Sequence, residues 1–458
     1  MNQQELINLN ERQKEFFLSG KTLDVRFRIN VLKKIRELII SYESQIFDTL
    51  QEDLGKPCFE SYASETGMIL QELNLIIRNL HKWSCNKRVY TPLVHFIARS
   101  YYRFEPYGRV LIISPWNYPF QLLFNPLIGA VAAGNCVIAK PSRSAVHTSE
   151  FLIKMINDRF NPEHIHLIRG GHDVNQWILK EKYDYIFFTG SSEVGKQVMK
   201  SAAENLTPLS LELGGKCPVI VAKDANIRLA AKRILWGKML NAGQSCVAPD
   251  YVLAHTDIKD DLVSEMKSYL IKTYGSYPDR SADFCRIINP QNVKRIQSYL
   301  TNGNIIHGGM IDTEKRYVSP TLTENISPDD LIMKEEIFGP LLPVMSFNQL
   351  DEAIECITNL SRPLAIYLFT RSASVRKKVM TQTQSGAACI NDTVVYFINP
   401  HLPFGGVGKS GMGRYHGRFS FETFSYKRSF MHKSNLIDFP VRYPPYKNKI
   451  NLLRLLVR

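Results

Sequence analysis

The eight cysteines, at positions 58, 85, 136, 217, 246, 285, 356 and 389, never fall into CxxC pairs. In a chain of 458 residues such scatter excludes a disulfide framework and a zinc-ribbon site, and makes a reducing cytoplasm the expected setting. The histidines form no HExxH or comparable pattern, so no catalytic metal is expected. No apolar run is fit to span a bilayer. The nearest, residues 120–139, is broken by Gln121, Asn125, Pro126 and Asn135, and reads as a buried helix followed by a buried strand. The opening MNQQELINLNERQKEFF lacks the apolar core of a secretory leader. Internal repeats and low-complexity linkers are also missing.

Charge is abundant but uneven. The net charge is +14, yet residues 401–458 hold 11 Lys and Arg against only Glu422 and Asp438. A nucleic-acid protein would carry its basic face on the main domain. An excess confined to a tail points instead to a local partner or a surface anchor. With 44% hydrophobic and 22% charged residues the composition is globular, and the length suggests two or three domains.

Residues 1–85 show helical periodicity, as at Leu32, Ile35, Leu38 and Ile39. Residues 86–104 are rich in aromatics and β-formers and read as an extended arm. From Tyr107 the pattern changes. Short apolar strands at 109–114, 136–140, 164–168, 183–188, 208–213 and 217–221 alternate with helices at 120–134, 145–160 and 193–204, with one short helix between 168 and 183. That alternation predicts βαβ units and a parallel sheet. Such sheets bind ligands beyond the carboxyl ends of their strands, so chemistry is sought there. Residues 213–412 are again mixed α/β.

Four strand-end or loop positions stand out. Cys246 sits among small residues in GQSCVAP, which leaves its sulfur room to face a cleft. Taken alone it reads as a buried structural cysteine. Glu212, in LELGGK, is a carboxylate at the end of an apolar strand, costly unless paired or used. Asn117, between the prolines of PWNYP, is held rigidly enough to donate to a developing oxyanion, although an isolated turn Asn needs no such role. Lys140 ends the strand at 136–140, a position suited to a ribose hydroxyl or a phosphate. The segment TGSSEVG at 189–195 ends a strand and opens a helix whose backbone N–H groups attract phosphate. A GxGxxG match at 406–411 follows no strand and lies in no βαβ unit, so it reads as a glycine-rich packing loop.

These motifs occur together and in order: WN after a strand, LELGGK, GQSCVAPD, EEIFGP at 335–340 and LPFGGVGKSGMGRYHG at 402–417. The chain resembles the aldehyde dehydrogenases. FETFSYKR at 421–428 and RYPP at 442–445 make it similar to the class 3 branch of fatty and aromatic aldehyde dehydrogenases. The resemblance covers nearly the whole chain, and the 34 positions between Glu212 and Cys246 match the family's spacing. It implies an α/β fold: a Rossmann-like parallel-sheet cofactor domain, an α/β catalytic domain and a small β oligomerisation bridge. The implied boundaries are 1–85 with 105–212, then 213–412, then 86–104 with 413–435, and a basic tail at 436–458.

The resemblance also implies roles. Cys246 would be the nucleophile, Glu212 the general base, and Asn117 with the Cys246 backbone N–H the oxyanion site. NAD or NADP would lie on Trp116, Lys140, Ser142, Gly190, Ser191, Gly195, Leu213, Glu336 and Phe338, with Glu336 on the nicotinamide ribose. The substrate would be an aldehyde and the assembly a homodimer. One departure matters. The family's acid after KPS is here Arg143, and an arginine attracts a 2′-phosphate that a carboxylate repels. NADP is therefore expected to serve at least as readily as NAD. The tail interleaves Ile450, Leu452, Leu453, Leu455, Leu456 and Val457 with Lys449, Arg454 and Arg458. It suits an anionic membrane surface or docking on the partner subunit or its own body. Two rival readings are a cofactor-independent cysteine thioesterase or hydrolase and a non-catalytic binding protein on this scaffold.

Overall fold

The computed structural model describes residues 2–301 and 303–457, without the side chains of His172, Asp173, Leu456 and Val457. Arg458 of the basic tail lies outside the described residues. Helices Gln3–Leu18, Val25–Ser41, Glu43–Leu54 and Gly67–Ser84 fill the N-terminal region. The first begins at a reciprocal cap, with the Asn2 side chain accepting from the Glu5 backbone N–H and the Glu5 carboxylate accepting from that of Asn2.

The first sheet has six strands. Five are parallel, in the order Leu209–Leu213, Tyr185–Gly190, Arg109–Ile113, Cys136–Lys140 and Ile165–Leu167. The three central strands have continuous apolar cores because helices cover both faces. The sixth strand, Gly411–Met412, pairs antiparallel with Leu209–Leu213 and sets Gly411 opposite Glu212. It belongs to the glycine-rich loop at 406–411. A Cβ on Gly411, at φ +140°, would overlap the carbonyl of Leu211. The glycines thus let this loop pack against the Glu212 strand.

Past Gly214 and Gly215 the chain crosses to a second sheet. Its order is Asn304–His307, Thr321–Glu324, Leu341–Phe347, Tyr251–His255, Pro218–Val221, Ala365–Phe369 and Ala387–Ile390, parallel except at the first strand. The first sheet turns the carboxyl ends of its central strands toward a cleft that the second sheet meets with the amino ends of Tyr251–His255, Leu341–Phe347 and Ala365–Phe369.

A third sheet matches the small β element expected from 86–104 with 413–435. Lys87–Val89 and Ala98–Pro106 are strands, and the latter pairs antiparallel along its full length with Ser425–Lys433. The periodicity of 98–106 is local, but its partner lies over 300 residues further on. The tail ends in helix Ile450–Val457, with Leu452, Leu453 and Leu455 exposed. Among the described residues no helix is long and apolar enough to cross a membrane.

Candidate active site

A cavity of about 280 Å³ opens in that cleft, and Asn117, Glu212 and Cys246 all line it. Cys246 is brought there by an unusual backbone. Asn241 and Ala242 adopt the left-handed region at φ 51° and 50°, followed by Gly243 at φ 74°. Such a run in non-glycine residues persists only where the surroundings enforce it. A Cβ on Gly243 would overlap the Gly339 carbonyl, so the Cys246 loop lies tight against the loop at 335–339. Cys246 remains partly exposed. Burial raises its thiol pKa above the usual range, and the negative charges of Glu336 and Glu212 push the same way.

Asn117 is almost fully buried. Its Nδ2 donates to the Gln244 carbonyl at 3.1 Å, which leaves its second amide proton for a ligand. Glu212 lies buried near the end of its strand. Burial drives its carboxyl well above the carboxylate range, only partly offset by the Arg414 charge and the Gly406 backbone N–H.

The cavity wall also carries Trp116, Gly190, Ser191, Leu213, Glu336 and Phe338. Ser191 caps helix Ser192–Glu204 by accepting from the Val194 N–H, so this helix start faces the cavity. The loop carrying Glu336 and Phe338 is held from several sides. Arg295 donates to the carbonyls of Glu336 at 3.2 Å and Ile337 at 3.0 Å. Asp250 accepts from the Ile337 N–H at 3.1 Å and pairs with Lys216 at 2.5 Å. Lys216 also donates to the carbonyls of Ile332 and Glu335. Phe338 sits at φ 49° and meets Trp116 edge-on at 5.4 Å. The core role open to any phenylalanine therefore does not apply to it. Burial, then the Asp250 charge, raises Glu336 to about 8.

A dinucleotide fits this wall on structural grounds. Glu336 Oε1 and Thr189 Oγ1 are buried without partners, as ribose hydroxyls would require. A Cβ on Gly214 would overlap the Glu336 carboxylate.

Three expected contacts lie off this cavity. Gly195 is buried in helix Ser192–Glu204, where a Cβ would press on Leu213 at 2.7 Å; it permits close helix–strand packing. Lys140 is buried at its strand end, its pKa lowered by burial and then by the Arg143 charge. Ser142 accepts from the Ser144 N–H at 3.3 Å. Beside them, a cavity of about 270 Å³ is lined by Pro141, Arg143, Glu150 and Arg169 among others.

Sequence reasoning missed Tyr118, Phe397, Tyr415 and Arg295, which also line the main cavity. Only Tyr118 and Tyr415 lie inside quoted motifs; nothing local marks the others. A further cavity of about 260 Å³ shares Tyr118, Ser245, Val247 and Phe397 with the first. Its walls are largely apolar, with Phe59, Trp236, Met239, Leu240 and Ile398.

The aldehyde dehydrogenase family model matches residues 5–430. The chain belongs to the aldehyde dehydrogenase family. It is 46% identical over 443 residues to the 4,4'-diaponeurosporen-aldehyde dehydrogenase of Staphylococcus aureus, covering 96% of each chain. It is 42% identical over 442 residues to the dimeric NADP-preferring aldehyde dehydrogenase of Rattus norvegicus, covering 96% of this chain and 98% of the relative. A solved structure described as the substrate-bound state of Staphylococcus aureus AldH matches with a TM-score of 0.97 and 44% identity over 99% of both chains. The enzyme is thus an oxidoreductase acting on aldehydes with NAD or NADP, and its class 3 character stands.

Proposed function

We propose that the enzyme oxidises medium- or long-chain aliphatic or aromatic aldehydes to acids through a thioester on Cys246. The observation that carries this reading is the sharing of one cavity by Cys246, Glu212 and Asn117, with Glu336, Phe338 and the Ser191 helix start also lining it. The adjoining apolar cavity supports an aldehyde with a substantial hydrocarbon part.

In this mechanism the Cys246 thiolate adds to the carbonyl carbon. Asn117 Nδ2 and the Cys246 backbone N–H hold the charge that develops on oxygen; one such donor is typically worth ~10²–10³ in rate. Glu336 and Phe338 would hold the nicotinamide of NAD or NADP, which would supply the hydride acceptor. Loss of the adduct's hydride would leave a thioester on Cys246. Glu212 then takes a proton from water, the hydroxide attacks the acyl carbon, and the acid leaves as Cys246 is restored. Buried and low in solvent, Glu212 keeps its proton affinity high enough for this step. A panel of aldehydes of increasing chain length, followed by the absorbance of reduced nicotinamide with each cofactor, tests the reading. Thioester hydrolysis without cofactor and no aldehyde oxidation would favour the hydrolase alternative.

In this reading residues 1–85 and 105–212 bind the cofactor, 213–412 carry the catalysis, and 86–104 with 413–435 bridge two copies. Ser425–Lys433 is the outer strand of its sheet, which offers a second copy a free edge. Light scattering is expected to give twice the 52.5 kDa chain mass; a monomer would end the bridge assignment.

NADP is expected to serve at least as well as NAD. Arg143 and Arg169 share the cavity beside the Lys140 strand end, and a fork of guanidinium donors suits a 2′-phosphate. Arg143→Glu is expected to cut kcat/KM for NADP by about tenfold or more and to change that for NAD by less than about threefold. A strong NAD preference in the wild-type enzyme would remove this assignment.

A further inference from the structure

Behind the catalytic loops lies a set of buried charges that the mechanism does not use. The short helix Cys58–Ser61 runs through a π-helical turn, Tyr62–Thr66, into Gly67–Ser84. Single π-helical turns inside longer helices gather at functional sites. This segment supplies two carboxylates, and each is spent on backbone N–H groups of a different catalytic loop. Glu65 Oε2 accepts from Phe120 N at 3.1 Å and Gln121 N at 2.8 Å, directly after the PWNYP loop. Its Oε1 pairs with Lys56 at 2.5 Å, both side chains fully buried. Lys56 Nζ in turn lies 4.2 Å from the centre of the Tyr118 ring.

Glu60 serves the other loop. Its Oε1 accepts from Asn241 N at 2.6 Å, the N–H of a residue held at φ 51°. Asn241 Nδ2 then donates to the Asn117 carbonyl at 2.7 Å and to the Gln244 carbonyl at 3.2 Å. Asn117 Nδ2 donates to that same Gln244 carbonyl. The path from Glu60 to the oxyanion amide is therefore continuous: carboxylate, Asn241 backbone, Asn241 side chain, Asn117 backbone. The second Glu60 oxygen receives only the Cys285 thiol, at 3.7 Å.

A buried charge is a poor way to gain stability, since apolar residues of equal volume often do as well or better. Its use here is geometric. Without an acceptor at this point, the Asn241 N–H would be buried and unpaired, and the left-handed turn would relax. Relaxation would shift the amide that must meet the developing oxyanion, and small misplacements of such donors carry large rate penalties.

We propose that Glu60 is a positioning residue for the oxyanion donor Asn117, acting through Asn241. The proposal rests on the reading of Asn117 given above. It also links the two cavities, because Glu60 and Ser64 line the apolar one while Asn117 lines the other.

The test is a double-mutant cycle in the full-length enzyme. Glu60→Leu, close in volume but without an acceptor, is expected to lower kcat by about 10- to 100-fold with aldehyde KM within about threefold. Glu60→Gln still offers an oxygen to the Asn241 N–H and is expected to restore kcat to within about threefold of wild type. In an Asn117→Ala background, Glu60→Leu should cost less than about twofold, because the group it positions is gone. Equal factors in both backgrounds, or Glu60→Gln as damaged as Glu60→Leu, would overturn the proposal. If Glu60→Leu fails to fold, Asn241→Gly keeps the backbone conformation but removes the side-chain link, and the same cycle with Asn117→Ala applies. A wild-type enzyme without aldehyde oxidation would sink the reaction and the proposal together. Wild-type oxidation with additive variants would sink the positioning role alone.

Discussion

Cys246→Ala is expected to lower kcat/KM for aldehyde oxidation by ~10⁴-fold or more, because removal of a nucleophile leaves only binding and oxyanion stabilisation. Among the described residues no other cysteine lines the cavity. Cys217 donates to the Cys246 carbonyl at 3.3 Å and is fully buried, and burial holds its thiol far above the usual range. The substitution removes a small, partly exposed side chain, so folding and dinucleotide affinity should persist, the latter within about threefold. Cofactor binding followed by fluorescence, beside the rate assay, separates loss of chemistry from loss of structure. Residual activity above about one per cent of wild type would mean that covalent capture is not the route.

The wild-type nucleophile carries a pH signature of its own. Burial and the charges of Glu336 and Glu212 disfavour the Cys246 thiolate, and the thiolate is the reactive form. The first-turnover rate should therefore climb with pH well into the alkaline range.

The second large effect is expected at Glu212. Glu212→Gln should lower steady-state kcat by ~10²–10⁴-fold, the usual worth of a positioned general base. Its first turnover should survive. In the proposed mechanism, oxidation to the thioester needs Cys246 and an acceptor for hydride, whereas release of the acid needs an activated water. Rapid mixing should show a burst of reduced cofactor equal to the number of sites, then a stall. Loss of the burst as well would place Glu212 in the earlier step. The pH dependence follows the same logic. A base works only when deprotonated, and burial raises the Glu212 pKa well above the carboxylate range. Wild-type kcat should thus rise with pH through a region where an ordinary carboxylate is already ionised. In Glu212→Gln that limb should vanish.

Much of this was legible in the order of the residues. The strands at 109–114 and 136–140 have continuous apolar cores and 208–213 alternates leucines with Ser210 and Glu212, and their observed counterparts end within a residue or so of the expected bounds. Glu212, Asn117 and Cys246 were recognisable because a carboxylate, an amide and a thiol occur at strand ends and in tight loops, in an order shared with the family. The family's acidic position after KPS was legible too, as the substitution of Arg143.

Other features had no local signature. The pairing of Ala98–Pro106 with Ser425–Lys433 joins segments over 300 residues apart, and hydrophobic alternation in one strand says nothing of which strand receives it. Arg295 is one basic residue on helix Pro290–Ser298, unremarkable until the fold lays the loop at 335–339 across it. Glu60 reads as a polar residue of a short helix; only tertiary packing reveals that its carboxylate satisfies the Asn241 N–H. Chain order determined the chemical groups and the elements that carry them, because those follow from side-chain identity and short-range periodicity. The tertiary structure alone decided which buried polar groups meet, because hydrogen-bond partners distant in sequence are chosen by how the two sheets and the N-terminal helices close on one another.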